Sequence, residues 1–180
     1  MFPKRYADAV ARLRVPFGFV LVIAFAWLSH PSAMSLAAGL PVAAIGLALR
    51  AWAAGHLEKN SQLAESGPYR FVRNPLYLGT LLVAAGLAVA SRRWLLGAIF
   101  AAVFLFVYLP VIQLEEQHLR GLFPEYDDYA RRVPALLWSG AMPRRSMQKF
   151  RWSLYLRNRE YEALLGLLAG AAFLVGKLFW

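Results

Sequence analysis

The sequence predicts an all-α, polytopic membrane protein with about five transmembrane helices, short interfacial helices on the cytosolic face and no Rossmann domain. Three observations predict it. Hydrophobic residues make up 59% of the 180 positions and lie in long runs, more apolar than a soluble domain needs. Lysine and arginine concentrate in alternate connections between those runs. The motifs of nucleotide-binding and hydrolytic soluble folds are absent: there is no Gly-x-Gly-x-x-Gly, P-loop or Gly-x-Ser-x-Gly.

Residues 1–14 carry Lys4, Arg5, Arg12 and Arg14 against Asp8. Ser32-Ala33-Met34 is a poor cleavage site and further apolar runs follow, so 15–28 reads as a first span rather than a leader. That segment is short, about 20 Å of helix against a hydrocarbon core of about 30 Å, and must extend into its flanks or thin the bilayer. Ser29-His30-Pro31-Ser32 is a turn, and 36–54 is a second span closing near Arg50 and Trp52. The two spans make a hairpin with an uncharged tip. Residues 55–75 are polar, with His56, Glu58, Lys59, Asn60, Gln62 and Glu65. Segments 76–90 and 94–114, joined only by Ser91-Arg92-Arg93, form an antiparallel pair. Gly79, Gly86 and Gly97, with the alanines around them, are small enough for close helix approach. Beyond 114, acids, tyrosines and arginines alternate with apolar residues as in interfacial helices. A basic run including Arg144, Arg145, Lys149, Arg151, Arg157 and Arg159 precedes a fifth apolar segment, 163–179. The whole chain is read as one domain.

If five spans alternate, 16 of the 20 basic residues fall on the side of the N-terminus, 55–75 and 115–162. Only Arg92, Arg93 and Lys177 fall on the other, with Arg50 in or at the end of the second span. The positive-inside rule then makes the first side cytoplasmic. It also accounts for the net charge of +10 without nucleic acid as a partner. The chain has no cysteine, and His30, His56 and His118 lack ligand spacing, so no metal site is expected.

Orientation brings two polar stretches to one face. The first, 55–77, runs into Gly67-Pro68-Tyr69-Arg70-Phe71-Val72-Arg73-Asn74-Pro75-Leu76-Tyr77-Leu78-Gly79, irregular backbone at the foot of a hydrophobic helix. Such backbone is tolerated at membrane depth only when buried in protein or lining a watery cavity. The second, 115–132, begins at Glu115-Glu116, two carboxylates directly after an apolar run, which either end the helix facing solvent or, where desolvated, call for a cationic partner. Arg73 is the natural candidate. The residues themselves carry the reading to a polar cytosolic pocket roofed by helices.

The spacing Gly67-Pro68-Tyr69-x-x-x-Arg73-Asn74-Pro75-x-Tyr77-x-Gly79, followed by Glu115-Glu116-x-x-Leu119 and then Phe123, Tyr126, Tyr129, Arg132, Val133 and Pro134, resembles a family of integral membrane methyltransferases. That family includes isoprenylcysteine carboxyl methyltransferases and phospholipid N-methyltransferases. The resemblance covers about 50–137 and leaves 142–180 as a C-terminal extension with the last helix. It implies S-adenosylmethionine as cofactor, bound at the cytosolic face, and an amphiphilic or lipid-like substrate. By position it implies that Ala64, Tyr69, Asn74, Pro75, Leu76, Tyr77 and Glu115 bind the donor, with Glu116 and Arg73 as catalytic candidates. The sequence departs from the pattern in three places: Asn74 stands where many members have His, Ser61 where prenylcysteine enzymes have an upstream His, and Val111 where they have an acceptor-binding Arg. A prenylcysteine carboxylate is therefore disfavoured as acceptor. In the extension, Trp152, Tyr155, Arg157, Asn158, Arg159, Glu160 and Tyr161 read either as part of an acceptor site or as an interfacial anchor to anionic lipid. The alternative from another class is a non-catalytic lipid-binding or partner-binding module; Tyr69, Pro75 and Glu115 argue against it.

Overall fold

The computed structural model describes residues 2–138 and 148–179, all in helices and connections, with no strand among them. Arg144, Arg145, the extension boundary at Met142 and the terminal Trp180 lie outside the described residues. Helix α1, Lys4–Leu28, starts well before the apolar run, which resolves the length deficit of 15–28. It bends by 54° between Lys4–Leu13 and Pro16–Leu28, where the proline lacks an N–H and its ring crowds the preceding turn. Helix α2, Ala33–Ala54, opens with a capping box: Ser32 Oγ accepts from the Ser35 N–H while Ser35 Oγ accepts from the Ser32 N–H.

Helix α3, Pro75–Ser91, follows the polar connection and has proline at its first position. It ends at Arg92, whose φ of 57° is left-handed. Next come α4, Trp94–Val103, a π-helical segment, Phe104–Tyr108, and α5, Leu109–Leu122, in one continuous rod. Within it the Leu109 N–H reaches back five residues to Phe104 O. Pro110 cannot donate to Phe106 O, and that carbonyl accepts the Tyr6 hydroxyl of α1 at 2.7 Å instead. The rod runs past the expected end at 114, so Glu115 and Glu116 stand inside a helix rather than at its end. Short helices α6, Tyr126–Arg132, and α7, Trp152–Arg157, precede α8, Tyr161–Gly176.

By length and composition α2, the α4–α5 rod and the α8 region can each cross a membrane; α1 is a fourth if its bent halves form one span. Helix α3 is apolar but has 17 residues. The helix ends sort into two groups. At one end the His30 N–H donates to Ser91 O, Arg93 Nε donates to Leu28 O, and Lys177 Nζ donates to Ala26 O and Ser29 O. At the other lie the N-terminus, tied through Phe2 to Gln113, and the polar stretches 55–75 and 115–138.

The closest packing of α3 is with α2, not with the sequence neighbour α4 that its short link suggested. A Cβ on Gly46 would lie 2.6 Å from Gly79 O, and one on Gly86 would lie 2.6 Å from Gly39 O. Backbone meets backbone at both points, so van der Waals contact and close dipoles hold the pair where lipid supplies no hydrophobic drive. Gly97 is different, since a Cβ there would make only ordinary contact with Ala88.

Candidate active site

The connection between α2 and α3 contains one 3₁₀ turn, Gly67–Arg70. Gly67 holds a φ of 55°, and a Cβ on it would lie 2.5 Å from the His56 ring, so geometry and space both require glycine. His56 is 6% exposed, and its Nδ1 shares a hydrogen bond with Ser66 Oγ at 2.9 Å. Burial pushes its pKa below the ordinary imidazole value, so the ring is neutral at neutral pH. From the C-terminal segment, the Arg151 N–H donates to Gly55 O, and Asn158 Nδ2 donates to Ala54 O and Leu57 O. Asn158 thus satisfies carbonyls that the end of α2 leaves open.

Arg73 is the hub of the site. Its Nη2 donates to both carboxylate oxygens of Glu116, at 2.9 and 3.2 Å, and Nε donates to Oε1 at 3.2 Å. Its Nη1 donates to Ala130 O at 2.7 Å and Val133 O at 3.2 Å. The backbone adds Arg73 N–H to Pro134 O and Asn74 N–H to Ala135 O. Asn74, buried before Pro75, donates through Nδ2 to Glu116 Oε1 and Ala135 O rather than capping α3. One guanidinium therefore joins the 67–79 stretch to α5, α6 and the chain beyond. Both side chains of the pair are about six-sevenths buried, so leaving either unpaired would be expensive.

Tyrosines complete the wall. The Tyr129 hydroxyl donates to Tyr69 O at 2.8 Å, and the Tyr77 hydroxyl donates to Glu115 Oε2 at 2.9 Å. Burial, with Glu115 second, raises the Tyr69 pKa well above the phenolic value; burial likewise raises that of Tyr129. Tyr126 is pushed up to about 12 by burial and the neighbouring Glu116 carboxylate. All three phenols stay protonated at working pH.

Ala64, Tyr69, Arg73, Asn74, Pro75, Leu76, Tyr77 and Glu115 line a single pocket of about 130 Å³. Glu116 is outside that lining; it braces Arg73 and Asn74 from behind. The pocket also takes Leu57, Glu58, Asn60 and His118, which lie in the two polar stretches without being singled out there, and Tyr126 and Tyr129 of the second motif. Arg50 and Glu160 were not foreseen as a pair. Arg50 Nε donates to Glu160 Oε1, and Nη1 donates to Thr80 Oγ1 and Leu76 O, which ties α8 to the foot of α3. Among the described residues no group of three or more His, Asp or Glu is arranged to hold a metal.

Two relatives are the cobalt-zinc-cadmium resistance protein CzcN of Cupriavidus metallidurans and the nickel-cobalt-cadmium resistance protein NccN of Alcaligenes xylosoxydans xylosoxydans. Each is 38% identical over 99 residues, 54% of this chain and 44% or 45% of the relative. The chain thus spans less than half the length of either. No solved structure matches it significantly. The family model for phospholipid methyltransferases matches residues 14–126, from the middle of α1 through the first polar stretch to the end of α5 and the start of α6. The match starts well before residue 50 and leaves α7 and α8 outside. With more than half of the chain matched, all-helical and carrying several membrane-length apolar helices, this multi-pass membrane protein belongs to the phospholipid methyltransferase family.

Proposed function

We propose that this chain transfers a methyl group from S-adenosylmethionine to an amphiphilic acceptor held in the bilayer. The observation that carries the reading is the convergence of Tyr69, Asn74, Pro75, Leu76, Tyr77 and Glu115 on one pocket from two stretches far apart in sequence. When bound, the donor supplies an electrophilic methyl on a sulfonium. The pocket's chemistry fits it: tyrosine faces attract a sulfonium, the exposed Glu115 carboxylate pairs with an ammonium, and the first turn of α3 favours a carboxylate. Arg73, in the pocket wall, and Glu116, bracing it from behind, position these groups. Methyl transfer needs in-line alignment more than acid–base chemistry, and a braced pocket provides it.

The pocket is smaller than the ~300 Å³ at which ligand pockets begin, so donor entry moves the wall formed by Glu58, Lys59, Asn60 and Gln62 outward. We read five crossings, and with the positive-inside rule this puts the pocket on the cytoplasmic side. Helix α3, about 25 Å long, crosses where the bilayer is thinned, and a C-terminal reporter would then lie outside. The relatives' names set those proteins in metal resistance; a corresponding role here would be methylation of a membrane component. Calorimetry with S-adenosylhomocysteine on detergent-purified protein tests the reading. Saturable one-to-one binding, weakened at least tenfold by Tyr69→Ala and Glu115→Ala, supports it; no binding by folded wild type refutes it.

A further inference from the structure

A second, wider cavity, of about 620 Å³ and half open at the bundle surface, lies between α1, α3, the α4–π segment and α8. Its lining includes no charged side chain, and its only side-chain hydroxyls are those of Thr80 and Tyr108. The helices around it carry two kinds of glycine. Gly39, Gly46, Gly79 and Gly86 are in backbone contact with a neighbouring helix; Gly18 of α1 and Gly166 and Gly170 of α8 face open space, with nothing near where a Cβ would be. Glycine is a poor helix former. At these three lining positions it is not used for packing, and its effect is to widen the cavity.

The cavity meets the donor pocket along the first turns of α3. Tyr77 lines the pocket, Tyr108 lines the cavity, and their rings meet edge to face with centroids 6.0 Å apart. Tyr108 closes the π-helical segment, an irregularity that often marks functional sites. Behind Thr80 stands Arg50, already neutralised by Glu160, as Arg73 is by Glu116. An anionic head at this junction would find both guanidinium groups committed.

We infer that this cavity holds the hydrocarbon chain of a single-chain acceptor with an uncharged nucleophilic head, and that α8, outside the family match, sets how wide a chain enters. The volume falls within the ~300–1,000 Å³ of single-ligand pockets. The head lies beside Tyr77 and Tyr108. This placement rests on the methyltransferase reading for its chemistry. The acceptor heteroatom bonds to the methyl carbon as the carbon–sulfur bond breaks, its electron pair staying on sulfur in S-adenosylhomocysteine. The proton lost by the head passes to water at the open side of the pocket, while Glu115 keeps the bond from the Tyr77 hydroxyl at 2.9 Å.

The test is photolabelling of the full chain in detergent with hexadecanol bearing a diazirine near the chain end, mapped by peptide mass spectrometry. Labels are expected on cavity-facing residues of α1, α4 and α8, and Gly170→Phe should lower them at least tenfold. Gly18→Leu, on the opposite wall, should do the same and serves if the first variant does not fold. Leu165→Phe, at an exposed α8 position outside the lining, should leave labelling unchanged. Calorimetry should find S-adenosylhomocysteine binding unaltered in all three. Labelling indifferent to both cavity-filling variants overturns the inference. Competition by hexadecanoate as strong as that by hexadecanol overturns the uncharged head, and equal competition by a diacyl phosphatidylcholine overturns the single chain. Labelling that follows the cavity while wild type fails to bind S-adenosylhomocysteine refutes the methyltransferase reading and leaves the chain site standing.

Discussion

Replacing Glu116 by alanine removes three hydrogen bonds from Arg73 and one from Asn74 at once. It leaves a guanidinium, 14% exposed, with only the carbonyls of Ala130 and Val133 as acceptors. Truncating one partner of a buried ion pair costs about 3–5 kcal/mol, because the remaining charge stays desolvated. At roughly 2–4 °C per kcal/mol for a chain of this size, the unfolding midpoint in detergent should fall by about 6–20 °C. Glu116→Gln keeps the shape and one acceptor oxygen and should lose about 1–3 kcal/mol. The double variant Arg73→Met/Glu116→Leu should recover much of the loss, since an apolar pair leaves no orphan charge. Differential scanning fluorimetry measures the midpoints, and calorimetry with S-adenosylhomocysteine measures the donor site. If Glu116→Ala unfolds within a degree or two of wild type, the pair does not brace the pocket. If Glu116→Gln keeps full stability and donor affinity yet loses turnover, Glu116 takes part in the chemistry and the bracing role is wrong.

Three further outcomes are expected. Gly46→Val forces side-chain atoms onto the backbone at Gly79 and Val83 and should cost at least about 1–3 kcal/mol, measured by thermal unfolding, whereas Gly97→Ala should be nearly neutral. Tyr77→Phe removes the bond to Glu115 and should weaken S-adenosylhomocysteine binding by about threefold to tenfold without lowering the unfolding midpoint by more than a few degrees. His56 is held neutral, with a pKa below its ordinary 6.5, so the unfolded chain takes up a proton before the folded one. Its contribution to stability is complete above about pH 6.5 and declines as pH falls through the folded pKa; midpoints compared between pH 7.5 and 5.5 should show this dependence, and His56→Gln should lessen it.

Much of the fold is legible in hydropathy, because apolar runs of membrane length leave the backbone few choices but helix. The partner of α3 was harder to find. A short connection favours α4, yet Gly39 and Gly46 stand two helical turns apart, as do Gly79 and Gly86. That matched spacing was the available signal for the α2–α3 contact. In the site, Arg73 could be matched to the Glu115-Glu116 pair from charge and orientation, since neither side tolerates burial alone. The division of labour between adjacent carboxylates could not be read, because it depends on which face of α5 each occupies: Glu115 reaches Tyr77 and Glu116 reaches Arg73. Arg50 and Glu160 are separated by most of the chain, and nothing local in the sequence links them.

The central claim is methyl transfer by this pocket. Incubating purified protein with S-adenosylmethionine carrying a labelled methyl group and a total membrane lipid extract tests it most directly. Label should enter an organic-extractable amphiphile with wild type, and fall at least tenfold with Tyr69→Ala and with Glu115→Ala while both variants remain folded. Failure of the folded wild-type protein to label any extractable component, or equal labelling by the two variants, would contradict the account.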